Sequence, residues 1–139
     1  MTSRILIIED NPVNLELFEC LLEAIGCETI AAVDAEAGIC AAYQQKPDLI
    51  ICDVMLPGIS GLEVARKLKR DPAMCTIPLV AVTAYAMVGD REAILSAGFD
   101  GYISKPIEPL KFLQQIKQIL LNETSPEMAE NIRLGVRRS

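Results

Sequence analysis

Three carboxylates carry the strongest chemical signal in this sequence. Glu9 and Asp10 follow the apolar run Ile5-Leu6-Ile7-Ile8, and Asp53 follows Leu49-Ile50-Ile51-Cys52. Each run reads as a buried strand, so the acids stand where a hydrophobic sheet meets water. Like charges held together there repel, and a hard divalent cation with oxygen ligands is the natural counterweight. Thr83 closes another apolar run, Pro-Leu-Val-Ala-Val-Thr, and Lys105 follows Gly-Tyr-Ile-Ser. Together these residue types suit the handling of a phosphoryl group. A carboxylate can attack phosphorus to form an acyl phosphate. A divalent metal offsets charge on the phosphoryl oxygens. Lysine adds a point positive charge, and a hydroxyl can donate a hydrogen bond to a phosphoryl oxygen.

Composition narrows the alternatives. The chain has no histidine, which excludes a Ser-His-Asp triad, a His-ligated zinc site and a phosphohistidine on this chain. Its 139 residues suit one domain with a real core. A content of 51% hydrophobic and 23% charged residues reads as globular rather than disordered. The net charge of −6 argues against a general nucleic-acid binder. The apolar runs are too short to span a bilayer, and no signal peptide is evident, so a cytoplasmic location without membrane contact is expected. The five cysteines, Cys20, Cys27, Cys40, Cys52 and Cys75, are odd in number and lack CxxC spacing. Most fall inside expected elements and read as reduced core thiols.

The elements that must position the site alternate between strand and helix. Strands are expected at residues 5–8, 28–32, 48–53, 78–83 and 100–104. Helices are expected at 12–25, 35–45, 61–70, 88–97 and 109–121. Asn11-Pro12 opens the first helix, and Gly26 stops it. Pro57-Gly58 marks a turn, and Asp71-Pro72 breaks the third helix. In the last helix Leu113, Ile116 and Leu120 are expected inward, with Phe112 widening the stripe. Strict alternation implies an α/β fold with a parallel sheet and helices on both faces. Right-handed crossovers and about five units fit the doubly wound, flavodoxin-like order 2-1-3-4-5. In that order the first and third strands are neighbours, and Glu9, Asp10 and Asp53 converge. Residues 1–121 are read as the domain. Residues 122–139 are read as a tail, flexible or forming a short helix and too short for a DNA-binding output domain.

Glu9-Asp10 after the first strand, Asp53 followed by Pro57-Gly58 and Gly61, Thr83-Ala84 and Lys105-Pro106 resemble the receiver domain of two-component response regulators. The resemblance runs from about Arg4 to about Leu121. Within the family it is strongest to bacterial single-domain regulators of the DivK type, through Glu9-Asp10-Asn11 with Asn14, Val82-Thr83-Ala84-Tyr85-Ala86-Met87 and Tyr102-Ile103-Ser104-Lys105-Pro106-Ile107.

The resemblance implies that Asp53 is the phosphoacceptor. It implies that Asp10, Asp53, the Met55 backbone carbonyl and, through water, Glu9 hold Mg2+ or Mn2+. Thr83 is then the switch hydroxyl, Lys105 the contact to the phosphoryl group and Tyr102 the switch aromatic. The Lys105-Pro106 bond is expected to be cis, and Met55 with Tyr85 to set how fast phosphate is lost. The donor would be a sensor histidine kinase or a histidine phosphotransfer protein. The output would be a protein partner on the face of the fourth helix, fifth strand and fifth helix, with no direct DNA binding and no turnover of an outside substrate. The same face could support a phosphorylation-dependent homodimer of an otherwise monomeric protein. A phosphatase of the haloacid-dehalogenase type fits less well, because its nucleophile follows the first strand within a DxD-like motif. A flavin-binding domain would need a hydroxyl- or glycine-rich loop where Glu9-Asp10-Asn11-Pro12 stands. A pseudo-receiver that works without phosphorylation would not need the full set of site residues.

Overall fold

Five short apolar segments form the strands β1 (Arg4–Ile8), β2 (Glu28–Ala32), β3 (Leu49–Asp53), β4 (Leu79–Thr83) and β5 (Gly101–Ser104). Between and after them run α1 (Pro12–Ala24), α2 (Ala35–Gln45), α3 (Gly61–Arg70), α4 (Val88–Ala97) and α5 (Pro109–Leu120). The structure, a computed structural model, describes residues 2–84 and 88–121. Tyr85 and the 122–139 tail, both singled out in the sequence, lie outside the described residues. Element types agree with the sequence expectation throughout, and boundaries move by at most one residue at most ends.

The strands pair in parallel in the order β2-β1-β3-β4-β5, the doubly wound order expected from the alternation. The central strands are apolar on both faces because helices cover both faces. Leu6, Ile8, Ile50, Cys52, Leu79 and Ala81 point to one layer, where they meet Ala35 and Ala42 of α2, Val64, Ala65 and Leu68 of α3, and Ile94 and Ala97 of α4. The alternate residues Ile5, Ile7, Leu49, Ile51, Val80, Val82 and Ile103 meet Phe18 and Leu22 of α1 and Phe112 and Ile116 of α5. This is the period-two alternation of a strand presented to two separate apolar layers.

Local signals set the helix ends. Asn11 Oδ1 accepts hydrogen bonds from the backbone N–H groups of Val13 (2.9 Å) and Asn14 (3.1 Å), satisfying two donors that the first turn leaves open. Asp34 caps α2 in the same way through Ala37 N–H at 2.7 Å. Gly26 follows α1 with φ of +88°, a conformation that glycine takes without a Cβ penalty.

Two expectations are corrected in detail. Phe112, expected only to widen the α5 stripe, is at its centre: it and Ile116 are buried, while Leu113 and Leu120 are partly exposed. Its ring packs against Phe18 of α1 with centroids 5.3 Å apart. The cysteines are not all core thiols. Cys27 and Cys52 are buried, but Cys20, Cys40 and Cys75 are exposed, and all are free. The helical period explains the first two exposures. Phe18 and Leu22 face inward on α1, and Gly38 and Ala42 on α2, so positions 20 and 40 are turned about 200° from the inward residues at 18 and 38.

Truncation of Phe112 removes a fully buried aromatic from the α1–α5 contact. Phe112→Ala is expected to destabilise the domain by about 3–5 kcal/mol, read as a lowered urea midpoint. Leu110→Ala, two residues away but 79% exposed, should stay within about 0.5 kcal/mol of the parent. Similar losses in the two variants would contradict this packing.

Candidate functional site

Strand order and register bring the singled-out residues together. β1 and β3 are direct neighbours with Ile8 opposite Cys52, so Glu9 and Asp53 occupy adjacent strand ends. β4 lies on the other side of β3 with Val82 opposite Asp53, and β5 follows with Ser104 opposite Thr83. The carboxyl edge of the sheet therefore presents Glu9, Asp10, Asp53, Thr83 and Lys105 as one group. Ligand sites of doubly wound sheets occur at this edge. Among the described residues the buried polar or charged side chains are Glu9, Asp53 and Thr83, at 1%, 4% and 1% exposure. A core otherwise closed to polar groups keeps its exceptions in one place.

Asp53 is held from two sides. Its Oδ1 accepts the Met55 backbone N–H at 3.0 Å, and its Oδ2 accepts from Lys105 Nζ at 3.2 Å. Lys105 Nζ also stands 3.8 Å from Glu9 Oε1, so one ammonium faces two buried carboxylates. The Lys105 backbone is anchored as well, with its N–H donating to Thr83 O at 2.8 Å. The Lys105-Pro106 bond is cis, as the resemblance implies.

Glu9 is the less satisfied of the two buried acids. Its Oε2 accepts the Asn11 backbone N–H at 3.1 Å, whereas its Oε1 is buried with no hydrogen-bond partner. Burial pushes the Glu9 carboxyl up to about 7; Asn11 N–H lowers it, the Asp53 charge raises it further, and Lys105 opposes the rise. Burial likewise pushes the neighbouring Cys52 thiol well above its ordinary range, with the Asp53 charge next in effect, so Cys52 is a packing residue rather than a nucleophile.

An orphaned carboxylate oxygen is the observation that tests a metal site. Glu9, Asp10 and Asp53 each offer a carboxylate oxygen, and these oxygens lie within 4.8 Å of one another. Asp10 is exposed while the other two are buried, so the cluster opens to solvent on one side. An all-oxygen, acid-rich and partly open set fits Mg2+, which binds through one or two carboxylates and keeps several waters. It does not fit zinc, which favours nitrogen and sulfur.

Two supporting residues do more than their sequence signals suggested. Asn11, expected only as a helix cap, also holds Glu9 through its own N–H. The signal for this was the adjacency of Glu9 to a cap position. Gly61 starts α3 directly against the strand end. A Cβ there would stand 2.3 Å from Asp53 O and 2.8 Å from Val54 Cα, so only glycine permits the approach. Gly61 N–H donates to Val54 O at 2.9 Å, fixing the backbone beside Asp53. Met55 is 59% exposed at the rim of the site. Tyr102 lies outside the acidic cluster, half-buried on β5 and packed against the layer of α2, α3 and α4.

The response regulator receiver domain family matches residues 5–117 of this chain. The polar-differentiation response regulator DivK of Brucella ovis is 46% identical over 120 residues, which is 86% of this chain and 98% of the relative. Among solved structures, a CheY-like response regulator receiver domain protein from Methanospirillum hungatei JF-1 is 30% identical with a TM-score of 0.82, covering 89% of this chain and 98% of that one. The receiver domain of the sensor histidine kinase PA1611 from Pseudomonas aeruginosa PAO1, solved with a magnesium ion coordinated in its active-site cleft, is 31% identical with a TM-score of 0.77, covering 88% of this chain and 97% of that one.

The strained state of Glu9 has a measurable consequence. A carboxyl whose folded pKa lies above its unfolded value binds more protons in the fold. It therefore favours the fold at low pH, and that advantage is lost as pH rises from about 4.5 towards 7. Glu9→Gln should raise the melting temperature of the metal-free protein at pH 8 by roughly 3–8 °C and change it little at pH 5. Equal stabilisation at both pH values would show that the Glu9 charge is not the cause.

Proposed function

This chain belongs to the response regulator receiver family of two-component signalling, and on that footing we propose that it accepts a phosphoryl group on Asp53. The observation that carries this reading is the state of the Asp53 carboxylate. It is buried at a strand end, held by Met55 N–H and Lys105 Nζ, and set beside two further acids that fit a divalent cation. The receiver unit is taken as residues 1–121, with 122–139 as an appended tail.

In the reaction an Asp53 carboxylate oxygen attacks the phosphorus of a phosphohistidine on a histidine kinase or a histidine phosphotransfer protein. A P–O bond forms as the P–N bond breaks, and the departing imidazole takes up a proton. The two contacts to Asp53 limit its rotation, so the nucleophile is oriented before the donor arrives. Lys105, already facing Asp53, supplies positive charge to the phosphoryl oxygens. Asp10, Asp53, the Met55 carbonyl and, through water, Glu9 are the residues that would hold Mg2+, which when bound supplies charge compensation for those oxygens. Exposed Asp10 and the exposed Met55 side chain leave the cluster open to a protein donor.

A phosphoryl group adds charge and acceptor oxygens where two carboxylates already crowd one ammonium. Thr83, buried at the end of β4, then donates its hydroxyl to a phosphoryl oxygen. Tyr102 then moves into the space that Thr83 leaves, and the surface of α4, β5 and α5 changes. Such a charge event biasing a two-state packing element is a recurrent signalling device. The output is a protein partner that binds this surface. Among the described residues no helix is long and apolar enough to cross a membrane, and the proposed site of action is the cytoplasm.

Phosphotransfer from a kinase or a small phosphodonor tests the assignment. Wild-type protein should label in the presence of Mg2+ and fail to label when EDTA is present from the start. Asp53→Asn should reduce labelling by at least about 100-fold, and Lys105→Ala should slow it by about 10- to 1000-fold. Stable wild-type labelling of Asp53→Asn would sink the assignment of the phosphoacceptor.

A further inference from the structure

Tyr102 has two kinds of neighbour. It packs against the apolar layer of α2, α3 and α4. Over the ring lies the Arg91 guanidinium from α4, with its central carbon 5.8 Å from the ring centroid. A cation at this distance is attracted by the ring's quadrupole. Arg91 is exposed, so the contact reaches from solvent onto a half-buried ring. Tyr102 sits opposite Ala81 on β4, two positions before the pair of Thr83 and Ser104. The ring is thus tied to the strand that ends in the buried hydroxyl, and to the helix across from it.

The consequence rests on the proposed role of Tyr102 as the switch aromatic. A ring that moves towards Thr83 leaves the guanidinium behind. We propose that Arg91 is a positioning residue that holds Tyr102 in its resting place and so opposes conversion to the phosphorylated form. The contact that carries the proposal joins Arg91 to the Tyr102 ring and not to the acidic cluster. Its effect reaches the site only through the difference in energy between two positions of one ring. By linkage, anything that favours the resting position weakens phosphoryl binding by the same factor. For a cation–π contact at an exposed site that factor is about two- to fivefold.

Beryllium fluoride, a phosphoryl mimic, provides an equilibrium test at saturating Mg2+, with 19F NMR as the readout. Arg91→Ala should tighten its apparent Kd by about two- to fivefold, and Arg91→Lys, which keeps the charge but loses the planar group, should fall between Arg91→Ala and the parent. The control is the same substitution in a Tyr102→Leu background, where it should change nothing. Arg91 makes other contacts as well, and this cycle separates them from the ring contact. An unchanged or weaker Kd in Arg91→Ala, or an equal shift in the Tyr102→Leu background, would overturn the inference. Absence of Mg2+-dependent beryllium fluoride binding by the wild-type protein would instead overturn the proposed function, and this inference with it.

Discussion

Two buried carboxylates side by side are a liability in any fold, and the contact that makes them tolerable here is Lys105. At about 4 Å two unit charges interact by roughly 4 kcal/mol when the effective dielectric constant is near 20. That is a large share of the 5–15 kcal/mol by which a domain is ordinarily stable. The Lys105 ammonium stands 3.2 Å from Asp53 and 3.8 Å from Glu9, so it offsets part of the repulsion without removing it. Glu9 bears the cost: its Oε1 is buried without a hydrogen bond, and burial, with the Asp53 charge adding to it, pushes its carboxyl up to about 7. The site is held in a state that additional positive charge would relieve.

The scaffold can sustain this state because the groups around it are tightly fixed. Glu9 and Asp53 extend from strands whose last residues are buried on both faces, so neither acid can swing out without dislodging the sheet. Asn11 ties the Glu9 carboxylate to the first turn of α1 while capping that helix. Gly61 brings the start of α3 against the Asp53 backbone, closer than any side chain would allow. Away from the site, Lys69 Nζ donates to Cys75 O, Ile77 O and Asp100 Oδ2 at 3.0–3.1 and 2.9 Å. This fastens the end of α3 to the approaches of β4 and β5. The chemistry sits on the strand ends, and the connections behind them are pinned.

What could be read from the sequence follows physical range. Strands and helices were legible because their periods are local: Leu49-Ile50-Ile51-Cys52 needs no distant partner to be recognised as buried. The convergence of Glu9, Asp10 and Asp53 was legible because alternation of elements fixes the strand order, and the order fixes which ends are neighbours. Contacts that depend on the angle of one helix against another were not. Phe112 becomes central only because α1 brings Phe18 to it, and the cation over Tyr102 comes from a different element. Asn11 showed its capping role in sequence but not its bond to Glu9, since a cap and a carboxylate support are the same residue type at the same place. The cysteines misled in a simpler way. Cysteine is often buried, and position on the helix overrode that tendency at Cys20 and Cys40.

The same fixed groups explain how a change at Asp53 can be felt elsewhere. Lys105 contacts Asp53 through its side chain, and its backbone N–H is bonded to the Thr83 carbonyl. Thr83 in turn pairs with Ser104, two residues beyond Tyr102 on β5. A group that draws on the Lys105 ammonium or the Thr83 hydroxyl therefore acts on two strands already bonded to each other. The apolar layers beneath them are packed and resist continuous deformation. Tyr102 is different, because it is half-buried at the margin of one layer. On the proposed function, a rigid sheet edge beside one half-buried aromatic concentrates the response in that ring, which belongs to β5 and meets α4 through Arg91.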